Sequence, residues 1–157
     1  MPRIQFTLPE RFLFSTDIPI YISHVNQGGH LDNAQLLTLV SEARVRFFRW
    51  LGYQGELNVD GQSIVVGDMM AQYKSEAFYG ETMQVDMVPD DFNKYGFDLV
   101  FRLTDKATGR EVARGKTGVV FLRDQGDGHK KVAPPPEGFI SRLRDRGEAL
   151  GWSPKTV

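Results

Sequence analysis

Cysteine is missing altogether from the 157 residues. Its absence excludes a disulfide framework, a thiolate metal site and a cysteine nucleophile, and it fits a reducing compartment. Histidine is scarce: of three residues, only His24 and His30 lie near one another. That spacing spells out no ligand set, so no metal is expected. An excess of one charge is also missing. Lys and Arg number 19 against 20 Asp and Glu, for a net charge of -1, so no basic field recruits nucleic acid and no nucleic-acid partner is expected. No apolar run nears the roughly 20 residues that a membrane span needs. The opening "MPRIQFTLPERFLF" has neither the apolar core nor the small-residue cleavage site of a secretory signal. G-x-S-x-G, P-loop and G-x-G-x-x-G motifs are absent, and with them the chemistries they position. The remaining composition, 41% hydrophobic and 25% charged, suits one soluble domain with a core of its own. The expectation is a cytoplasmic single domain spanning 1–157, with no membrane partner.

What is present is ordered. "FLFSTDIPIYISHV" (12–25) puts Ile18, Ile20 and Ile22 on alternate positions, a strand pattern, and Pro19 assigns it to an edge. "DNAQLLTLVSEARVRFFRWLG" follows. Asp32 or Asn33 supplies an N-cap; Leu36, Val40, Ala43, Phe47 and Trp50 recur at helical spacing, flanked by Leu37 and Phe48; Gly52 supplies a stop. This helix is apolar over a wide arc and predicts a central element wrapped by others. Four strands come next: "SIVVGDMMAQYKSEAFY", "ETMQVDMVPDDF", "YGFDLVFRLTD" and "REVARGKTGVVFLRD". Gly67 beside Asp68 marks a bulge or a buried polar group. "YGE", "DDFNK" and "DKATGR" punctuate the strands as hairpins, predicting an antiparallel meander. "DQGDGHKKVAPPPEG" reads as a loop, with His129 solvated, and 137–151 as a C-terminal helix on Phe139, Leu143 and Leu150. The fold class is α+β, a curved antiparallel sheet wrapped around one long helix. One helix leaves part of such a sheet uncovered, so a homodimer extending the sheet is expected.

The stretch "HVNQGGHLDNA" (24–34) joins the first strand to the helix. A helix N-terminus presents unpaired N–H groups at the positive end of a dipole, suited to an anion or a polarised carbonyl. Gly28 and Gly29 permit close approach of a ligand, and Asn26, His30, Asp32 and Asn33 ring the turn. A plain turn and cap account for the same residues. Glu42, four before Arg46, reads either as a surface ion pair or as a carboxylate with work to do. Lys74, Arg114 and Lys116 are candidate phosphate contacts or a solvated strand face.

"HVNQGGHLDNAQLLTLVSEARVRFFRWLGY" resembles the signature of the hotdog-fold acyl-CoA thioesterases, the 4-hydroxybenzoyl-CoA thioesterase-like family. His30, Leu31, Asn33, Ala34, Leu37, Glu42, Ala43 and Arg44 fall in register with it. "YKSEAFYGETMQV" and "ARGKTGVVFLRD" are similar to its later strands, and the resemblance spans about 16–136. It implies a hotdog fold, a sheet wrapped on a central helix in a homodimer that can pair into a tetramer. It also implies hydrolysis of an acyl-CoA to a carboxylic acid and CoA, with no cofactor beyond the CoA of the substrate. The catalytic candidates are Asn26, His30, Glu42 and Asp32; the substrate-binding candidates are Gly28, Gly29 and Asn33. One departure falls on a central residue. The family's carboxylate four positions before the histidine is Asn26 here, and an amide does not titrate. Asp32 replaces the first of the paired Asn. Other hotdog thioesterases use a glutamate on the central helix, the place of Glu42. The departure also admits a non-catalytic protein that binds acyl-CoA or acts as an interaction module. A dehydratase is a third reading, whose His/Asp motif is not found.

Overall fold

The computed structural model describes residues 3–156; Met1, Pro2 and Val157, at the ends of the expected 1–157 domain, lie outside the described residues. The elements run β1 (Phe14–Pro19), a 3-10 turn (Ile22–His24), α1 (Asn33–Trp50), β2 (Ser63–Tyr73), β3 (Thr82–Asn93), β4 (Gly96–Asp105), β5 (Glu111–Asp124), β6 (Lys130–Val132) and α2 (Glu137–Glu148). All strand pairs are antiparallel, in the order β1-β3-β4-β5-β2, with β6 paired to β5. This is the α+β architecture expected, a sheet wrapped on a central helix.

The helix forms where its signals put it. Asp32 caps the start, its Oδ2 accepting from the Ala34 and Gln35 amides at 3.0 and 3.3 Å. Gly52 follows the end with φ +105, the left-handed conformation that stops a helix. Leu36, Leu39, Val40, Ala43, Phe47 and Phe48 are buried. They face the inner side of the sheet, whose register aligns Phe97 with Val119, Leu99 with Thr117, Phe101 with Gly115 and Leu103 with Ala113. Gly115 is required there: a Cβ would stand 1.9 Å from the Met70 carbonyl. α2 closes one end with Phe139, whose ring lies 5.9 Å from Phe48, 5.4 Å from Phe97 and 5.2 Å from Phe121. Each such fully buried side chain contributes about 1.5–3 kcal/mol.

Five expectations about boundaries and pairing need correction. The first strand ends at Pro19 rather than Val25, because proline adds no donor to the ladder; Ile22 then sits in the 3-10 turn and is 70% exposed. The link from β2 to β3 is not a hairpin. β2 pairs with β5 and β3 with β1 and β4, so the meander runs only through β3, β4 and β5. β2 itself stops at Tyr73, because the residues after it turn back toward the start of α1: the Leu31 amide donates to the Ala77 carbonyl at 2.7 Å. The loop after β5 contains β6, and α2 ends at Glu148, leaving Leu150 half exposed. Gly67 marks a bulge, a register shift between Val66 and Asp68, and Asp68 lies exposed beside Lys116 at 2.7 Å.

Candidate active site

The turn before α1 is built by its own polar groups. The Asn26 side-chain oxygen accepts from the Gly28 amide at 3.0 Å and the His30 amide at 3.3 Å. The Asn26 amide donates to the His30 carbonyl at 2.9 Å, and the Gly29 amide to the Asn26 carbonyl at 3.0 Å. Gly29 supplies the left-handed φ, +82, that the turn needs. His24 is part of this scaffold: its Nδ1 accepts from the Tyr21 amide at 3.0 Å and its carbonyl from the Asp32 amide at 2.9 Å.

This bonding decides which amides remain for a ligand. Gly28 and Gly29 spend theirs within the turn. In the first turn of α1, Ala34 and Gln35 donate to the Asp32 side chain and Leu36 to the Asp32 carbonyl. Among the described residues, the Asn33 amide is left with no acceptor. It lies at the positive end of an 18-residue helix.

The end of β2 forms the facing wall. Tyr73 is opposite Ala113 in register, on the helix-facing side of the sheet, and its hydroxyl donates to the Asn33 carbonyl at 2.9 Å. Burial, and behind it the negative charge of Asp32, raises the Tyr73 pKa above the ordinary phenol value, so Tyr73 is a neutral donor. His30 and Phe78 form a single antiparallel bridge, and the imidazole meets the Phe78 ring edge-on at 5.3 Å. That pairing sets Glu76 beside the histidine, with His30 Nδ1 3.1 Å from Glu76 Oε1. The segment is pinned from behind. Arg110 donates to the Glu76 carbonyl at 3.1 Å and to both Glu81 oxygens, Glu81 takes the Phe78 amide at 2.7 Å, and the Ser75 hydroxyl donates to the Glu111 carbonyl at 2.7 Å. Between the two walls lies an open cleft of about 290 Å³, whose lining includes the polar residues Asn26, His30, Asn33, Tyr73, Lys74 and Glu76 and the apolar residues Leu31, Leu36, Ala77 and Val112.

Of the residues singled out by sequence, the cleft gathers Asn26, His30 and Asn33. Asp32 stands next to it as the cap. Glu42 does not line it: its carboxylate accepts from Arg46 at 3.0 Å, and Arg46 also ties Thr16 and the Asp17 carbonyl. Of the three basic candidates only Lys74 reaches the cleft. Arg114 is bound by Glu111 and the Phe6 carbonyl, and Lys116 by Asp68 and Asp98 at 2.7 and 3.0 Å. Those carboxylates hold the Lys116 pKa up although burial opposes it. His129 is exposed in its loop. Tyr73, Ser75 and Glu76 were not anticipated as site residues. The alternation of Met69, Ala71 and Tyr73 along β2 carries the signal for Tyr73; nothing periodic marks Glu76. Among the described residues no group of three His, Asp or Glu is placed to hold a metal ion, and no helix is long and apolar enough to cross a membrane.

Comparison with known proteins adds two findings. The sequence profile described as "Thioesterase-like superfamily" matches residues 21–143. The fold is similar to several solved structures. One is a 1,4-dihydroxy-2-naphthoyl-CoA thioesterase from Synechocystis, at 16% identity and TM-score 0.73, covering 84% of this chain and 96% of that one. Another is a thioesterase from Thermus thermophilus complexed with coenzyme A and Zn, at 22% identity and TM-score 0.74, covering 89% and 98%. A third is a Staphylococcus aureus protein in complex with CoA, at 14% identity and TM-score 0.72, covering 92% and 89%. Likeness at these identities establishes the fold. No curated protein matches the sequence.

Proposed function

The chain belongs to the thioesterase-like superfamily, and from that premise we propose that it hydrolyses an acyl-CoA thioester to a free carboxylic acid and CoA. The observation that carries this reading is one cleft holding both an imidazole and an unfilled helix N-terminus. In this reading the Asn33 amide, left without an acceptor among the described residues, polarises the carbonyl, and His30 handles the proton of an attacking water; both residues line the cleft. Tyr73 and Asp32 hold the first turn of α1 in place, and Asn26 holds the loop that carries His30. Gly28 and Gly29 serve by shaping the turn. The apolar lining of the cleft suits an acyl group, and Lys74, which also lines it, suits a phosphate of the CoA handle. Hydrolysis needs water and the CoA of the substrate, with no further cofactor. The CoA complexes among the similar folds support the substrate class.

A homodimer is part of this reading. β2 is an 11-residue edge strand whose Val65 and Val66 are 43% and 39% exposed. Such an edge is covered by a second copy in many sheet proteins. Pairing of dimers into a tetramer, and a cytoplasmic location consistent with the missing cysteine, belong to the same proposal.

The test is thiol release by the purified protein from short-, medium- and long-chain and aromatic acyl-CoAs, beside Asn26→Asp. Turnover by the wild type on one class of substrate is the expected result. An inert wild type that gains activity on Asn26→Asp would favour the second reading, an acyl-CoA-binding protein that has lost its catalyst, which the amide at position 26 specifically suggests.

A further inference from the structure

The reaction proposed above requires a base, and the carboxylate expected four residues before the histidine is an amide. Three acids stand near enough in the chain or the fold to be considered. Asp32 Oδ2 already accepts two backbone amides as the cap of α1. Glu42 is held by Arg46 outside the cleft. Glu76 is the one carboxylate that lines the cleft among the described residues, and its Oε1 stands 3.1 Å from His30 Nδ1.

We propose that Glu76 is the positioning residue for His30: it fixes the imidazole with its proton on Nδ1 and leaves Nε2 bare as the base. A carboxylate accepts hydrogen bonds and donates none, so the Nδ1 that faces it carries the proton. The lone pair of a neutral imidazole is then on Nε2. Phe78 meets one side of the ring edge-on, and bonds from His30 to Asn26 and from Arg110 to the Glu76 carbonyl hold in place the two backbone segments that carry the pair. In the reaction, Nε2 takes a proton from water as the oxygen bonds to the thioester carbon. The carbonyl π pair moves to its oxygen against the Asn33 amide. That pair then returns, the C–S bond breaks with its electrons going to sulfur, and the imidazolium proton passes to the thiolate. The Glu76 charge stabilises the imidazolium between the two steps, as a carboxylate does in other acid–histidine pairs. The reaction rests on the hydrolase reading above; the pairing and the tautomer do not.

The deciding experiment is the tautomer of His30 in the uniformly 15N-labelled full chain without ligand. It is read from long-range proton–nitrogen correlations at about pH 8, where an ordinary histidine is neutral. His24 is the internal control, because its Nδ1 accepts from the Tyr21 amide and its proton must sit on Nε2. The expected spectrum shows His30 protonated on Nδ1 and His24 on Nε2. Glu76→Ala removes an exposed side chain and leaves the fold intact, and it should return His30 to the Nε2-protonated form that a free histidine side chain favours. On acyl-CoA substrate, Glu76→Ala should lower kcat about 10²- to 10⁴-fold, the range from loss of general base catalysis to loss of the carboxylate behind a catalytic histidine, with KM within about twofold. Glu76→Gln keeps an acceptor and should recover part of that loss. An Nε2-protonated His30 in the wild type overturns the proposal, and so does a Glu76→Ala variant with unchanged tautomer or unchanged kcat. A wild type that is inert on every acyl-CoA but shows the expected tautomer supports the pairing and overturns the hydrolase reading instead.

Discussion

Asp32 separates a structural from a chemical role, and the geometry gives numbers for both. Its Oδ2 accepts the Ala34 and Gln35 amides, so Asp32→Ala strips the cap from α1. Loss of an N-cap acceptor costs about 0.5–2 kcal/mol, and loss of a negative charge at a helix N-terminus adds about 0.3–1 kcal/mol. The helix cannot relieve the loss by fraying, because Leu36 in its first turn is only 2% exposed and anchors it to the core. The full cost therefore falls on global stability. For a chain of this size about 1 kcal/mol moves Tm by 2–4 °C, so Asp32→Ala should lower Tm by roughly 3–8 °C in a calorimetric or dichroism melt. Asp32→Asn keeps an oxygen in the same place and loses only the charge contribution, and its Tm should fall by no more than about 4 °C. Its kcat on the best acyl-CoA should stay within about fivefold of wild type, since the Asn33 amide proposed to meet the carbonyl is untouched. The same variant removes the secondary cause of the raised Tyr73 pKa, and the phenol should titrate lower by ultraviolet difference absorbance while burial keeps it above the ordinary value. A folded Asp32→Asn protein whose kcat has dropped about a hundredfold or more would refute this reasoning and make Asp32 the base, because that is the size of effect a lost general base produces.

Three further outcomes follow from packing and titration. Phe139→Ala, which removes the ring that α2 lays against Phe48, Phe97 and Phe121, should cost about 3–5 kcal/mol in urea unfolding. Tyr53 is held protonated well above the ordinary phenol range, by burial first and then by its 2.6 Å hydrogen bond to Asp60. With the folded pKa above the unfolded value, its contribution is complete below about pH 10 and is lost as pH rises further, by up to about 1.4 kcal/mol per pH unit. Tyr53→Phe should remove that part of the alkaline slope in unfolding free energies measured between about pH 9 and 11. Lysine at both Val65 and Val66 should leave the monomer fold intact and convert a homodimer to monomer in sedimentation analysis; a wild type already monomeric at all concentrations would remove the β2 edge from the proposal.

The central helix was fully legible because every signal for it is local: the Asp32 cap, apolar residues at helical spacing, and Gly52 at the stop. β3, β4 and β5 were legible for the same reason, each alternating on its own and joined to the next by a short turn. The link from β2 to β3 was misread because Gly80 marks a turn without saying which strands the turn joins. Partner choice is a long-range matter, and β2 found its partner in β5, some 50 residues on. In the site, the histidine and the helix start were visible as one contiguous motif. Glu76 was not, since it lies in an irregular segment and reaches His30 only through the bridge between His30 and Phe78 and the bond from Leu31 to Ala77. No window of sequence contains both halves of that arrangement.

The amide at position 26 and the carboxylate at position 76 are better understood together than apart. What the turn asks of residue 26 is a side-chain oxygen that accepts the Gly28 and His30 amides. Asn and Asp offer that oxygen equally, so the loop keeps its shape when the charge is removed. What a histidine base asks of its surroundings is a negative charge beside Nδ1, and that requirement is set by position in space and not by sequence distance. Glu76 meets it from across the cleft. Both residues line the same small cavity, where two carboxylates would repel one another. An acid at 76 therefore favours an amide at 26. On the reading proposed above, the substitution that looks, along the sequence, like a lost catalyst leaves Glu76 as the one carboxylate lining the cleft among the described residues, beside the His30 nitrogen, with Lys74 as the cation.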